Sequence, residues 1–150
     1  MSDLAFRKAT AEDVPAIVAM PADDALGAMR ETPGALAPYL DAFAAVDANP
    51  DQLLVVAVDH SEIIGCAQVT FMAGLSHRGM WRAEIEAVRV RIDHRGTGLG
   101  TRLIAWCIDE ARNRGCGMVQ LTSNASRADA HRFYERLGFT PSHTGFKLRI

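Results

Sequence analysis

The sequence lacks several features that mark specialised classes of protein. Its three cysteines are an odd number without any CxxC spacing, which argues against a disulfide framework and a structural zinc site. It has no excess of positive charge, because 16 Lys and Arg stand against 18 Asp and Glu. We therefore expect neither nucleic acid nor a membrane as a partner. No apolar run approaches the ~20 residues of a membrane span, and the first residues do not resemble a signal peptide, so we expect a cytoplasmic protein.

What remains is the composition of an ordinary globular protein. The chain has 150 residues, of which 49% are hydrophobic and 23% are charged. A chain of this length can bury one sizeable core, and it contains no repeat, low-complexity tract or linker. We therefore expect residues 1–150 to form a single domain.

The spacing of the apolar residues, the residues that can cap helices, and the Gly and Pro residues that can end them indicate an α/β protein. Thr10 and Asp13 resemble a capping box that begins a first helix ending near Pro21. Thr32-Pro33 predicts the start of a second helix, which runs to Asn49. Two further helices are predicted from Gly96 to about Gly115 and over residues 126–137. The predicted strands are residues 4–8, 53–58, 63–71, 81–90, 118–122 and 146–150.

The most informative segment is a glycine-rich turn over residues 95–101, RGTGLGT, between a strand and an amphipathic helix. Because glycine has no Cβ, successive backbone N–H groups can approach one anion closely. The helix N-terminus adds about half a unit of positive charge, and Arg95 adds a full one. The turn therefore predicts a phosphate site.

Two well-known phosphate motifs do not fit this turn. A dinucleotide fingerprint needs a glycine where Thr101 stands, and a Walker A loop needs a lysine directly before that threonine. The remaining pattern, R-x-x-G-x-G over residues 95–100, resembles the coenzyme A motif of the GNAT superfamily of N-acetyltransferases. Asn124 and residues 130–139, AHRFYERLGF, resemble the later motif of that family.

The resemblance covers about residues 55–147 and implies a fold and a reaction. The fold would be a mixed, largely antiparallel, splayed sheet with helices on both faces. The reaction would move the acetyl group of acetyl-CoA to an amine by direct attack, without an acyl-enzyme. Residues 84–86, 129–134 and 142–143 are most similar to aminoalkylphosphonate acetyltransferases, whereas the region before Phe71 is not.

The same resemblance implies a set of site residues. Residues 88–90 would line the pantetheine arm of coenzyme A, and residues 95–101 would bind its pyrophosphate. The cofactor-binding set is Val88, Arg89, Val90, Arg95, Gly96, Thr97, Gly98, Leu99, Gly100, Thr101 and Asn124. Because an ammonium must lose a proton and the departing thiolate must gain one, the reaction needs a base and an acid. Glu86 matches the base and Tyr134 the acid.

Several alternatives stay open. Glu84 shares the strand face of Glu86 and is a rival base, and Glu86 is otherwise a surface acid paired with Arg82 or Arg89. Tyr134 is otherwise a core aromatic residue. The histidines show no metal-binding spacing, so we expect no metal, although His131 lies where it could reach the cofactor.

The acceptor is not determined either. We expect a small-molecule amine bound in a cleft bordered by residues 20–49. A protein or peptide amine and a non-catalytic acetyl-CoA-binding module are the alternatives. A homodimer is a family expectation.

Overall fold

A computed structural model describes residues 3–20 and 34–150. The strands are β1 (Ala5–Lys8), β2 (Gln52–Asp59), β3 (Glu62–Met72), β4 (Arg82–Val90) and β5 (Met118–Gln120). The helices are α1 (Val14–Ala19), α2 (Ala37–Ala48), α3 (Leu99–Asn113) and α4 (Ala128–Arg136). Short helical turns lie at Ala11–Asp13, Ser76–Gly79 and Ile92–His94. Within these described ranges, no helix is long and apolar enough to cross a membrane.

The strands form one sheet in the order β1-β2-β3-β4-β5. Neighbours are antiparallel from β1 to β4, whereas β5 pairs with β4 in parallel. The β2–β3 hairpin turns at His60 and Ser61, whose φ angles are 48° and 67°. Two central residues with positive φ match the right-handed twist of the flanking strands. The predicted mixed, largely antiparallel sheet is confirmed.

Helices pack on both faces of this sheet, as predicted. On one face, alternate strand residues such as Val55, Val69 and Ile85 pack against Leu103 and Cys107 of α3. On the other face, Val56 and Cys66 pack near Met20, at the end of α1, and near Phe43 of α2. Because strand side chains alternate between faces, consecutive residues serve different cores.

The predicted capping box at the start of the first helix is present. The backbone N–H of Thr10 donates to Asp13 Oδ2 at 2.7 Å. Arg7 donates to both oxygens of the same carboxylate, at 2.7 and 3.0 Å. Asp13 is buried, and its pKa lies below the usual range chiefly because Arg7 bonds to it. This carboxylate therefore ties β1 to the first helical turn.

Two predicted elements were wrong in position or kind. The second helix begins at Ala37, and Pro33 lies outside the described residues. Pro38 stands in the first turn of α2, and because proline lacks an N–H, it favours a helix start directly before it.

Residues 146–150 form no strand, since they have no hydrogen bond with any other described residue. The predicted acceptor cleft falls partly on residues 21–33, which lie outside the described ranges.

Candidate active site

A β-bulge in β4 decides which side chains share the site. Gln68 of β3 pairs with Glu86, whereas Cys66 pairs with Arg89, so β4 contains one extra residue there. Ala87 lies in the bulge with a φ of 52°. A single inserted residue reverses the alternation that follows it. Glu86 and Arg89 consequently lie on the same face of the sheet, although they are three residues apart.

Beyond the bulge, the backbone of β4 runs along an opening in the sheet. β5 pairs only with residues 82–84 of β4, and in the described chain no strand lies beside residues 86–90 on that side. The side chains of Val88 and Val90 pack in the apolar clusters of the sheet. Their carbonyl oxygens accept bonds from Arg89 Nη1 at 2.9 Å and Arg95 Nε at 3.3 Å. Such a strand can bond to an extended chain of amide groups through its backbone.

The glycine-rich turn has the conformation that an anion site requires. Gly96 and Gly98 have φ angles of 77° and 84°, and no atom lies within 4 Å of where a Cβ on either would stand. Arg102 N donates to Gly98 O at 3.2 Å, so the N–H groups of residues 99–101 precede the first helical bond. Leu99 is buried and anchors the helix, and Thr97 Oγ1 donates to His94 O at 2.6 Å. The turn therefore combines open space at its two glycines with N–H groups that have no helical partner.

Gly100 has a structural role that its place in the motif did not indicate. A Cβ there would stand 3.4 Å from Phe133 Cζ and 3.8 Å from Val90 Cγ2. The absence of a side chain thus lets α4 approach the first turn of α3. Tyr134, the predicted acid, follows Phe133 on the helix that this contact holds against the first turn of α3.

Polar side chains cross the sheet on the face opposite α3. Thr70 pairs with Glu84, which pairs in turn with Gln120, and Gln68 pairs with Glu86. We call these five residues the polar strip. Four of them are half-buried, whereas Glu86 is exposed. None belongs to an apolar cluster, although α1 and α2 cover the neighbouring β2 side of the same face.

The electrostatics of the polar strip favour a proton acceptor at Glu86. Partial removal from water raises the pKa of Glu86, and the negative charge of Glu84 raises it further, while Lys147 opposes both. Across the described residues, neither Arg82 nor Arg89 forms an ion pair with this carboxylate. A carboxylate with a raised pKa is a stronger base than a free one. The structure leaves both Glu84 and Glu86 on the strip.

Tyr134 lies half-buried on α4 between two other aromatic rings. Its ring meets Phe133 edge to face at 5.2 Å between centroids and Phe139 at 5.9 Å. Burial raises the pKa of Tyr134, and the positive charges of Arg127 and Arg89 oppose this shift. The phenol is therefore protonated at neutral pH and can donate a proton. Arg89 is close enough to influence both this phenol and the Cys66 thiol.

Asn124 organises the turn that precedes α4. Its Oδ1 accepts from Ser126 N at 2.9 Å and from Ser126 Oγ at 2.7 Å. The carbonyl oxygen of Asn124 lies 2.8 Å from Nε2 of His131, so this histidine holds the turn. The side-chain amide nitrogen of Asn124 is left to donate elsewhere. A shallow recess of about 340 Å³ lies over residues 126–130 beside it.

The structure shows surroundings of several polar groups that the sequence did not indicate. Arg82 Nε, Arg89 Nε and Ser123 Oγ are buried and have no hydrogen-bond partner in the described part of the chain. The sequence places Gln68 and Thr70 of the polar strip only within the strand predicted over residues 63–71. The available signal was their spacing, since two polar residues two apart in a β-branched run mark one strand face.

The sequence is similar to a known protein family and to one of its characterised members. The model of the GNAT acetyltransferase family matches residues 22–139. The aminoalkylphosphonate N-acetyltransferase of Salmonella typhimurium is 35% identical over 108 residues, which cover 72% of this chain and 70% of that protein.

Solved structures show the same fold. A transcriptional regulator from Bacillus halodurans C-125 is 42% identical, with a TM-score of 0.95 and coverage of 98% of this chain and 99% of that one. A predicted acetyltransferase from Clostridium acetobutylicum, crystallised with acetyl-CoA, matches with a TM-score of 0.76 at 19% identity. The match covers 97% of this chain and 96% of that one, and at that identity it supports the fold alone.

Proposed function

The chain belongs to the GNAT family of acetyltransferases and is an acetyl-CoA-dependent N-acetyltransferase, and we propose that it acetylates a small-molecule amine bound on the polar strip. The single observation that carries this proposal is the alignment of Glu84 and Glu86 beside the open backbone of β4. Carboxylates attract an ammonium and can accept its proton. The name of the Salmonella relative, an acetyltransferase of small aminoalkylphosphonates, supports a small acceptor.

Acetyl-CoA is the acetyl donor, and we propose that two parts of the chain hold it. The backbone of residues 88–90, which has no strand beside it on one side among the described residues, suits the amide groups of the pantetheine arm once Arg89 and Arg95 release the carbonyl oxygens of Val88 and Val90. The N–H groups of residues 99–101, with the charge of Arg95 close by in the sequence, suit the pyrophosphate. Asn124 contributes its free amide nitrogen. Acetyl-CoA supplies a thioester that an amine can attack.

The cysteines support direct attack by the amine. Burial raises the pKa of Cys66 and of Cys107 to about 12, and it also raises the pKa of Cys116. The thiolate is the nucleophilic form of cysteine, and at neutral pH these side chains remain thiols. We therefore infer that no acyl-enzyme forms on a cysteine.

In the proposed mechanism, Glu86 accepts a proton from the acceptor ammonium and so provides the free amine. The amine nitrogen then forms a bond to the acetyl carbon while the carbon–sulfur bond breaks. Tyr134 gives its proton to the departing thiolate, and its phenolate is reprotonated as the acylated nitrogen loses its second proton. The raised pKa values of Glu86 and Tyr134 suit these roles, because one must accept a proton and the other must hold one at neutral pH.

The similar protein from Bacillus halodurans is named a transcriptional regulator, which raises regulation as a second candidate function. We favour catalysis for this chain, because its net charge of −2 provides no general attraction for DNA. We further propose that residues 1–150 form one N-acetyltransferase domain and that the protein is cytoplasmic and homodimeric.

A thiol-release assay tests the function. Acetyl-CoA is incubated with the protein and a panel of amines that includes aminoalkylphosphonates, polyamines, amino acids, aminoglycosides and lysine peptides. We expect release of coenzyme A with at least one small amine. Turnover of peptides alone would show a protein-modifying enzyme. Tight acetyl-CoA binding without any turnover would indicate a non-catalytic module.

A further inference from the structure

The sequence contains two lysines, and an acid holds one of them. Lys8 and Lys147 are the only lysines of the chain. Lys8 Nζ forms an ion pair with Asp47 Oδ1 at 3.2 Å. Lys147 is exposed and, among the described residues, forms no ion pair within 4.0 Å. The end of the chain therefore presents a primary amine, the kind of group that an N-acetyltransferase modifies.

The path of the chain brings Lys147 to the end of the polar strip. A Cβ on Gly145 would stand 3.8 Å from Thr122 Cγ2. Thr122 follows Gln120, the β5 member of the polar strip, by two residues. Lys147 follows Gly145 by two residues, which span at most about 7 Å. Within the described chain, residues 146–150 have no hydrogen bond that holds them elsewhere. The side chain of Lys147 thus starts within a short reach of the strip.

The charge of Lys147 acts on Glu86, the proposed base. Burial and the charge of Glu84 raise the pKa of Glu86, and Lys147 is the cation that opposes them. The interaction between two exposed charges weakens with distance and is largely screened beyond about 10 Å, so this ammonium lies near the carboxylate. The ammonium of an acceptor must approach the same carboxylate to lose its proton. Lys147 therefore lies close to the position that we propose for the acceptor amine.

We propose that the protein acetylates its own Lys147, within one chain. This inference rests on the proposed function, because it uses the same donor, base and acid. Glu86 accepts a proton from the Nζ ammonium, and Nζ forms a bond to the acetyl carbon while the carbon–sulfur bond breaks. The departing thiolate takes the proton of Tyr134, and the second proton of the acylated nitrogen restores the phenol. Glu86 returns its proton to solvent. The products are coenzyme A and an acetyl-lysine without positive charge.

Mass spectrometry of the full chain, incubated with acetyl-CoA and no added amine, tests this proposal. Trypsin does not cleave after acetyl-lysine, so a modified chain gives a peptide that extends from residue 137 past residue 147. We expect acetylation of Lys147 and not of Lys8. The rate constant should not depend on protein concentration, because donor site and acceptor belong to one chain. Equal acetylation of both lysines would show chemical modification and overturn the proposal, and so would a rate constant that rises with protein concentration.

Lys147→Arg keeps the positive charge but removes the amine that can be acetylated, and Lys8→Arg is the matched control. Without added amine, wild type and Lys8→Arg should release one coenzyme A per chain, whereas Lys147→Arg should release none.

Thiol release with added small amines separates this inference from the proposed function. Turnover of an amine without modification of Lys147 would overturn self-acetylation alone. Modification of Lys147 without turnover of any small amine would uphold self-acetylation and refute the small acceptor. Neither turnover nor modification would overturn both.

Discussion

Replacing Glu86 by glutamine is the sharpest test of the proposed chemistry. Glutamine keeps the shape of the side chain but cannot accept a proton. A positioned general base contributes about 10²–10⁴-fold to the rate, which is roughly 3–5 kcal/mol at 1.36 kcal/mol per decade. We expect this loss chiefly in kcat/KM. The deficit should narrow as pH rises toward the amine pKa near 10, because solvent then deprotonates the acceptor.

Glu84→Gln is the matched control, and the structure predicts a distinct result for it. Glu84 raises the pKa of Glu86 through its negative charge. Removing that charge lowers the pKa of Glu86, so the base stays ionised at lower pH. The acidic limb of the kcat/KM profile should therefore move to lower pH, while the rate on the plateau stays within a few-fold of wild type.

The profile of kcat/KM against pH, measured for wild type and both variants, distinguishes the possibilities. A deficit of two or more decades in Glu84→Gln alone would show that the wrong carboxylate was assigned. Normal rates in both variants would show that water or another residue deprotonates the amine. A paired surface glutamate would change only stability, by about 0–1 kcal/mol.

Three further predictions address the cofactor, the acid and the fold. Gly98→Val should abolish acetyl-CoA binding in calorimetry. Gly98 has a φ of 84°, which a valine rarely adopts, and a valine side chain would fill the open space that the pyrophosphate needs. Gly34→Val is the control, and unchanged affinity in Gly98→Val would refute the site. Tyr134→Phe should lower kcat more than acetyl-CoA affinity, and full turnover with chemistry rate-limiting would make Tyr134 merely structural. Asp13→Asn should destabilise the fold by about 1–3 kcal/mol at neutral pH. Because the pKa of Asp13 is lowered in the folded state, its stabilisation is present above the ordinary Asp pKa and is lost as pH falls through the folded value. The denaturation curves of wild type and Asp13→Asn should therefore converge in acid. A difference in unfolding free energy that stays constant with pH would contradict this.

The fold class and most elements could be predicted because their signals are local. The helix after the glycine-rich turn ends as expected at Asn113, followed by Gly115 with a φ of 82°. Gly138, with a φ of 100°, likewise follows α4. The left-handed residue that ends a helix is usually a glycine, so the local sequence predicts it. The predicted last strand over residues 146–150 failed because a strand needs a partner, which its own alternation does not supply.

The sequence by itself determined the conformation of the glycine-rich turn, since glycine conformations and helix N-terminal donors depend on neighbouring residues only. It also proposed Glu86 and Tyr134, whose roles await the tests above. Only the tertiary structure decided how such groups meet. The bulge at Ala87 placed Glu86 and Arg89 on one face, and the close contact at Gly100 positioned α4. Pairing register and interhelical distance join residues far apart in the chain, so no local pattern encodes them.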